Sequence, residues 1–377
     1  MIGAAGGGGA PGGARGAEVI GLGMITAVGL GAAETARAVR AGIVGFGETP
    51  FRDQRDEPIV MGIVPDEHLP ELSDEVQDRY TFGEREARML ALAGAALAEC
   101  AEGIEGLETA PVLLAAPEPR GGRSGGEPAL GPQIFEQLAL QSGVAFDPAR
   151  GRIFPGGRAA GVMAVEEALR RIASGDDACV LVGGVDSYLD EDLLDGRDEE
   201  GRLRAAGVFD GFVPGEGAAF LALAAPGVGA RRGRKPLATI AAAAVAEEPG
   251  HLYSAAPYRG EGLHAAFRAL FAGWPGPPVR TVYAGFNGEH LGAKEWGVAY
   301  LRSRPRFAEG LRIEHPIDCL GDPGAALAPI LLGLSAIGLE RGYRRSPCLV
   351  FCSSDRSLRG AALLHRVDVE GAPARGA

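Results

Sequence analysis

The groups of widest chemical reach in this chain are five thiols: Cys100, Cys179, Cys319, Cys348 and Cys352. A Cys attacks a carbonyl or binds a metal only as the thiolate, which needs a base, a cation or a helix N-terminus beside it. No pair of them has metal-ligand spacing with a His nearby, so no metal site is expected. Cys179 lies in the apolar run Ala178-Cys-Val-Leu-Val182. Cys348 and Cys352 flank a strand-like run, and their even spacing puts both on one face of it. Two thiols are weak candidates for acyl transfer. Cys319 stands shortly before Asp322, and Cys352 opens the polar stretch Cys352-Ser-Ser-Asp-Arg-Ser-Leu358. Either would be inert if simply buried among apolar neighbours. An odd number of Cys fits free thiols and a cytoplasmic setting.

Alternating helices and strands must hold these groups. Residues 161–175 carry Val162, Val165, Ala168, Leu169 and Ile172 at helical spacing and stop at Ser174-Gly175. The strand 178–182 follows, closed by Gly183-Gly184. The plan then repeats. Leu320-Gly-Asp-Pro-Gly324 leads into an apolar helix over 325–341, Gly342 caps it, and a strand over 347–352 comes next. Residues 18–22 and 237–241 read as the opening strands of two halves. Residues 111–115 and 279–283 read as later strands, entered from helices over 84–100 and 262–273. Apolar strands alternating with helices predict an α/β fold with buried sheets. Residues 325–339 have no polar face, which predicts helices sandwiched between two sheets in five layers, αβαβα.

The expected domain plan is a disordered leader over 1–17, a first half over 18–224, a linker over 225–236, a second half over 237–368 and a loose tail over 369–377. Residues 48–78 read as a polar surface excursion and 120–126 as a flexible loop. The chain has 377 residues, is 46% hydrophobic and has a net charge of −12. That charge opposes nucleic-acid binding, which needs a basic surface. No uncharged apolar run reaches the ~18 residues of a membrane span, and no export signal is visible, so no membrane association is expected.

The most specific phrase is Phe209-Asp-Gly-Phe-Val-Pro-Gly-Glu-Gly-Ala-Ala219, downstream of Gly161-Val-Met-Ala-Val-Glu-Glu-Ala-Leu-Arg170. Upstream stand Gly21-Leu-Gly-Met-Ile-Thr-Ala-Val-Gly29, read as a Gly-rich turn after the first strand, and Arg40-Ala-Gly-Ile-Val44. His251-Leu-Tyr-Ser-Ala-Ala-Pro257 and Gly260-Glu-Gly-Leu-His-Ala-Ala266 follow in the second half. A Gly-rich turn alone could suit a dinucleotide, but no acidic residue ends a second strand about 20 residues on. Together, over 18–365, these segments resemble the β-ketoacyl synthase branch of the thiolase-like enzymes.

That resemblance implies a reaction centre of one Cys and two His. The Cys belongs on an elbow before the central helix, where the helix N-terminus and nearby amides lower the thiol pKa and hold a developing oxyanion. Here Arg158 takes its place, and no thiol or hydroxyl occurs from Pro155 to Gly161. Gly285 takes the place of the first His; His290, five residues later, is a weak candidate that reads as a loop His. Asp322 takes the place of the second His, and His315 reads as closing a strand. The Gly-Phe-Gly-Gly gate of the family is replaced by 352–358. Arg has no nucleophilic form near neutral pH, so condensation is not expected. The family geometry sets Arg158 opposite Asp322, which predicts a bidentate salt bridge between them.

The expected role is therefore a non-catalytic subunit or scaffold, similar to chain-length factors. The alternative is an active acyl-thioester enzyme with a rearranged site that uses Cys319 or Cys352. A homodimer, or a heterodimer with a synthase-like partner, is expected. An acyl carrier protein is a further candidate partner, and no cofactor is expected.

Overall fold

The computed structural model describes residues 16–119, 128–205 and 207–367. The expected flexible loop over 120–126, the tail over 369–377 and nearly all of the leader lie outside the described residues. The strands are β1 (Ala17–Thr26), β2 (Phe46–Arg52), β3 (Pro58–Gly62), β4 (Val112–Ala116), β5 (Arg152–Pro155) and β6 (Cys179–Ser187). The rest are β7 (Glu216–Ala224), β8 (Ala238–Glu247), β9 (Val279–Gly285), β10 (Phe307–Glu314), β11 (Cys348–Ser353) and β12 (Leu358–His365).

The two halves are the same topology written twice. One half runs β5-β4-β6-β7-β1 and the other β10-β9-β11-β12-β8. The pairing senses match as well. β4–β5 and β9–β10 are parallel, as are β4–β6 and β9–β11. β6–β7 and β11–β12 are antiparallel, as are β7–β1 and β12–β8.

Five layers follow from where the apolar faces go. The helices Ala160–Ser174 and Leu327–Glu340 bury their side chains in a central core shared with strands of both halves. Leu327–Glu340 is buried at every position from Leu327 to Leu339, as a helix without a polar stripe must be. The helix Glu84–Ala101 covers the outer face of the first half. The helix Gly262–Ala272 covers that of the second. The two sheets are not separate, however. They share one ten-stranded ladder, joined where β1 meets β8 at Ala17–Ile240, Glu18–Thr239 and Val19–Ala238. The central helices cross closely at Gly161, where a Cβ would lie 2.6 Å from Pro329 Cδ.

Two local expectations are corrected by packing. Gly183-Gly184 do not close a strand; they lie inside β6, because a Cβ at Gly183 would strike the Phe220 ring at 2.2 Å. Gly21 and Gly23 likewise lie within β1 and not in a turn after it. A Cβ at Gly23 would fall 2.0 Å from the Ala96 carbonyl, so their bareness lets the outer helix approach. The polar stretch 48–78 is largely exposed but is pinned to the body by a few buried side chains. Its first part belongs to the β2–β3 hairpin, whose Ile59 and Met61 pack with Tyr188, Leu194, Leu203 and Phe212. The segment between the halves carries a short helix, Val228–Arg231, with Val228 buried. Among the described residues, no helix is long and apolar enough to cross a membrane.

Candidate functional site

The elbow is built by one glycine. Gly157 has φ +64°, a left-handed conformation that costs glycine little. This reversal after β5 presents Arg158 just ahead of the helix Ala160–Ser174. Asp322 stands in the second half just before the corresponding turn, Gly324–Ala326, which leads into Leu327–Glu340, and Gly285 ends β9. The duplicated fold therefore brings together two residues that are 164 positions apart.

Arg158 Nε donates to Asp322 Oδ2 at 2.6 Å. Its Nη2 lies 2.6 Å from the same oxygen but makes no hydrogen bond. The expected ion pair is present, but not as a fork onto two oxygens. Asp322 Oδ1 is already taken by the Gly324 N–H at 3.0 Å, and Oδ2 also accepts from Asn287 Nδ2 at 2.9 Å. The second carboxylate for Arg158 is instead Asp355, which accepts from Nη1 at 2.7 Å.

Asp355 anchors a wider network. Arg202 donates to both its oxygens, at 2.8 and 3.0 Å, and to both oxygens of Glu289, at 2.7 and 2.8 Å. Burial alone would push the Asp355 carboxyl up. Arg158, Arg202 and Arg197 outweigh that and hold it well below the usual carboxylate range. Arg158 itself is 6% exposed and Asp322 wholly buried. The Ala159 amide, at the start of the central helix, is occupied by Ser354 Oγ at 3.0 Å. Two clefts touch Arg158, each of about 50 Å³, the room of a water or two.

Gly285 lines one of those clefts with Arg158. It faces Cys352 across the β9–β11 ladder, and a Cβ there would lie 2.4 Å from the Phe351 carbonyl and 2.8 Å from Cys352 Sγ. Gly285→Ala should therefore destabilise the fold by ~1–3 kcal/mol through overpacking, read as a lower urea midpoint. Cys352 is fully buried, and burial pushes its thiol far above the ordinary range despite nearby Arg158. Cys319 is 7% exposed; burial and then Asp318 raise its thiol. His290 is exposed at the first turn of the helix His290–Arg302, beside Asp210 at 3.3 Å. His315 follows β10 directly and packs on the Phe286 ring. Among the described residues, no group of His, Cys, Asp and Glu could hold a metal ion.

Four participants escaped the sequence reading: Asn287, Glu289, Arg202 and Asp355. Asn287 and Glu289 lie just beyond Gly285, and Asp355 lies within the polar stretch 352–358. Their proximity to those positions was the available signal. Arg202 had none, because it reaches the site from a loop.

No family model matches the chain, and no curated protein matches it by sequence. Solved structures do match. One is described as a type II polyketide synthase acyl-carrier protein in complex with its ketosynthase bound to the hexaketide. It is 17% identical over 94% of this chain and 100% of that chain, with a TM-score of 0.73. The ishigamide ketosynthase/chain length factor is 17% identical over 94% and 100%, with a TM-score of 0.71. The oxazolomycin ketosynthase domain of Streptomyces albus is 14% identical over 96% of this chain and 76% of its own, with a TM-score of 0.75. With the duplicated topology and the paired elbow, these likenesses establish that the chain has the fold of the thiolase-like ketosynthases.

Proposed function

We propose that this chain is a non-condensing, ketosynthase-like subunit that works beside a synthase-like partner, as a chain length factor works beside its ketosynthase. The observation that carries this reading is Arg158. It stands where the resemblance calls for the nucleophile, and Asp322 and Asp355 hold it there. A guanidinium at the elbow cannot form a thioester, and its carboxylate partners cannot act as the missing imidazoles. The elbow amide suited to an oxyanion already bonds Ser354. The thiols of Cys319 and Cys352 are held protonated by burial, which removes the ready alternative nucleophiles. The fold would then serve to shape and stabilise an assembly, with an acyl carrier protein as a candidate third component.

The test is acyl transfer. Purified chain incubated with radiolabelled acyl and malonyl thioesters should retain no label after denaturation. Stoichiometric label lost in Cys319→Ala or Cys352→Ala would overturn the reading and favour an enzyme with a rearranged site.

A further inference from the structure

A larger opening lies outside the Arg158 clefts. A cavity of about 860 Å³ opens between the β2–β3 hairpin and the segment that leads into β7. Small-molecule sites commonly enclose ~300–1,000 Å³. Strand alternation builds the wall. Ile59 and Met61 of β3 point into the core, so Val60 faces the cavity, and Phe46 and Glu48 share one face of β2. Val213 and Ile317 complete an apolar lining.

The hairpin is held at both ends, which keeps the cavity formed before any ligand arrives. Gly62 N–H donates to the Pro214 carbonyl at 2.9 Å, and Gln54 N–H donates to Asp198 Oδ2 at 2.7 Å. Preformed walls spare a ligand the entropy of ordering them. At the inner end sits Asn287, which also donates to Asp322, so the cavity abuts the Arg158 network.

Its polar groups are unequal in sign. Glu48, Asp53, Glu57 and Asp318 face a single guanidinium, Arg204. Asp53 Oδ1 is engaged by the Arg55 and Glu57 amides. The side chains of Glu48, Glu57 and Asp318 have no hydrogen bond or ion pair among the described residues. A partly apolar pocket rimmed by exposed, unpaired carboxylates favours cations over anions.

We propose that this cavity binds an amine of amphiphilic build: an apolar body against Phe46, Val60 and Ile317, with an ammonium among Glu48, Glu57 and Asp318. The proposal is independent of whether the elbow is catalytic.

Dansylcadaverine, an aromatic amine probe, should bind the full chain saturably at one site, with fluorescence rising as the dansyl group leaves water. Dansylglycine, its carboxylate counterpart, should bind at least about tenfold more weakly. The double variant Glu48→Gln, Glu57→Gln should weaken dansylcadaverine about tenfold, with unchanged circular dichroism. Val60→Trp, which fills the cavity, should abolish binding. The assignment fails if the amine does not saturate, if dansylglycine binds as tightly, or if the Gln pair leaves affinity unchanged. The Gln pair alters surface charge only and so keeps the test open even if Val60→Trp does not fold.

Discussion

Arg158→Met is expected to destabilise the folded chain by ~3–5 kcal/mol, measured by urea unfolding, because it strands buried Asp322 and loosens the hold on Asp355. Asp322 would lose its only cation among the described residues, and Asp355 one of the cations that hold it ionised. Desolvating a carboxylate without a partner is what makes a broken buried pair costlier than an absent one. Arg158→Met combined with Asp322→Asn should therefore be more stable than Arg158→Met alone. If the single variant were as stable as the parent, the network would have no structural role and the elbow would be open to a ligand.

The same variant should change the acid response. Arg158 and its companions depress the Asp355 pKa in the folded state. The unfolded chain thus takes up this proton first as the pH falls. Asp355 contributes its stability in full above the unfolded carboxylate value of ~3.9 and loses it progressively on acidification below that. Arg158→Met should flatten that part of the stability curve, because a shallower depression leaves less to lose.

Glu216→Gln should cost a similar amount, ~2–4 kcal/mol, read as a drop in the thermal or urea midpoint. Glu216 is the glutamate of the Phe209–Ala219 phrase and is wholly buried. Its Oε1 accepts from Val64 N–H at 2.8 Å and from Arg88 Nη2 at 2.7 Å. Its Oε2 accepts from Arg88 Nε and from Ser187 Oγ, each at 2.7 Å. One carboxylate thus ties β7 to β6, to the hairpin exit and to the outer helix. A Gln of the same shape turns one acceptor into a donor facing donors and leaves Arg88 short of a charge. The phrase is therefore specific for a structural reason: it carries the ion that locks the first half together.

Little of this locking was visible along the chain. Arg88 reads as one more charged residue on an amphipathic helix, and Met61 as part of a polar stretch. Glycines misled for a related reason. Gly21, Gly23, Gly183 and Gly184 suggest turns when read locally, yet they stand within strands because a helix or a ring lies where a side chain would be. Glycine marks either backbone freedom or close approach, and only the neighbour in space tells which.

What the sequence by itself determined is the plan: two like halves, and helices without a polar stripe that must be buried. These follow from periodicity and residue type, which act over a few residues and can be read there. The tertiary structure alone decided that Asp355 and Arg202 join Arg158, that Asp322 offers it one oxygen and not two, and that a cavity stays open beneath the hairpin. Arg158 and Asp355 are 197 positions apart. Contacts of that span depend on how whole layers pack, and no local pattern encodes them.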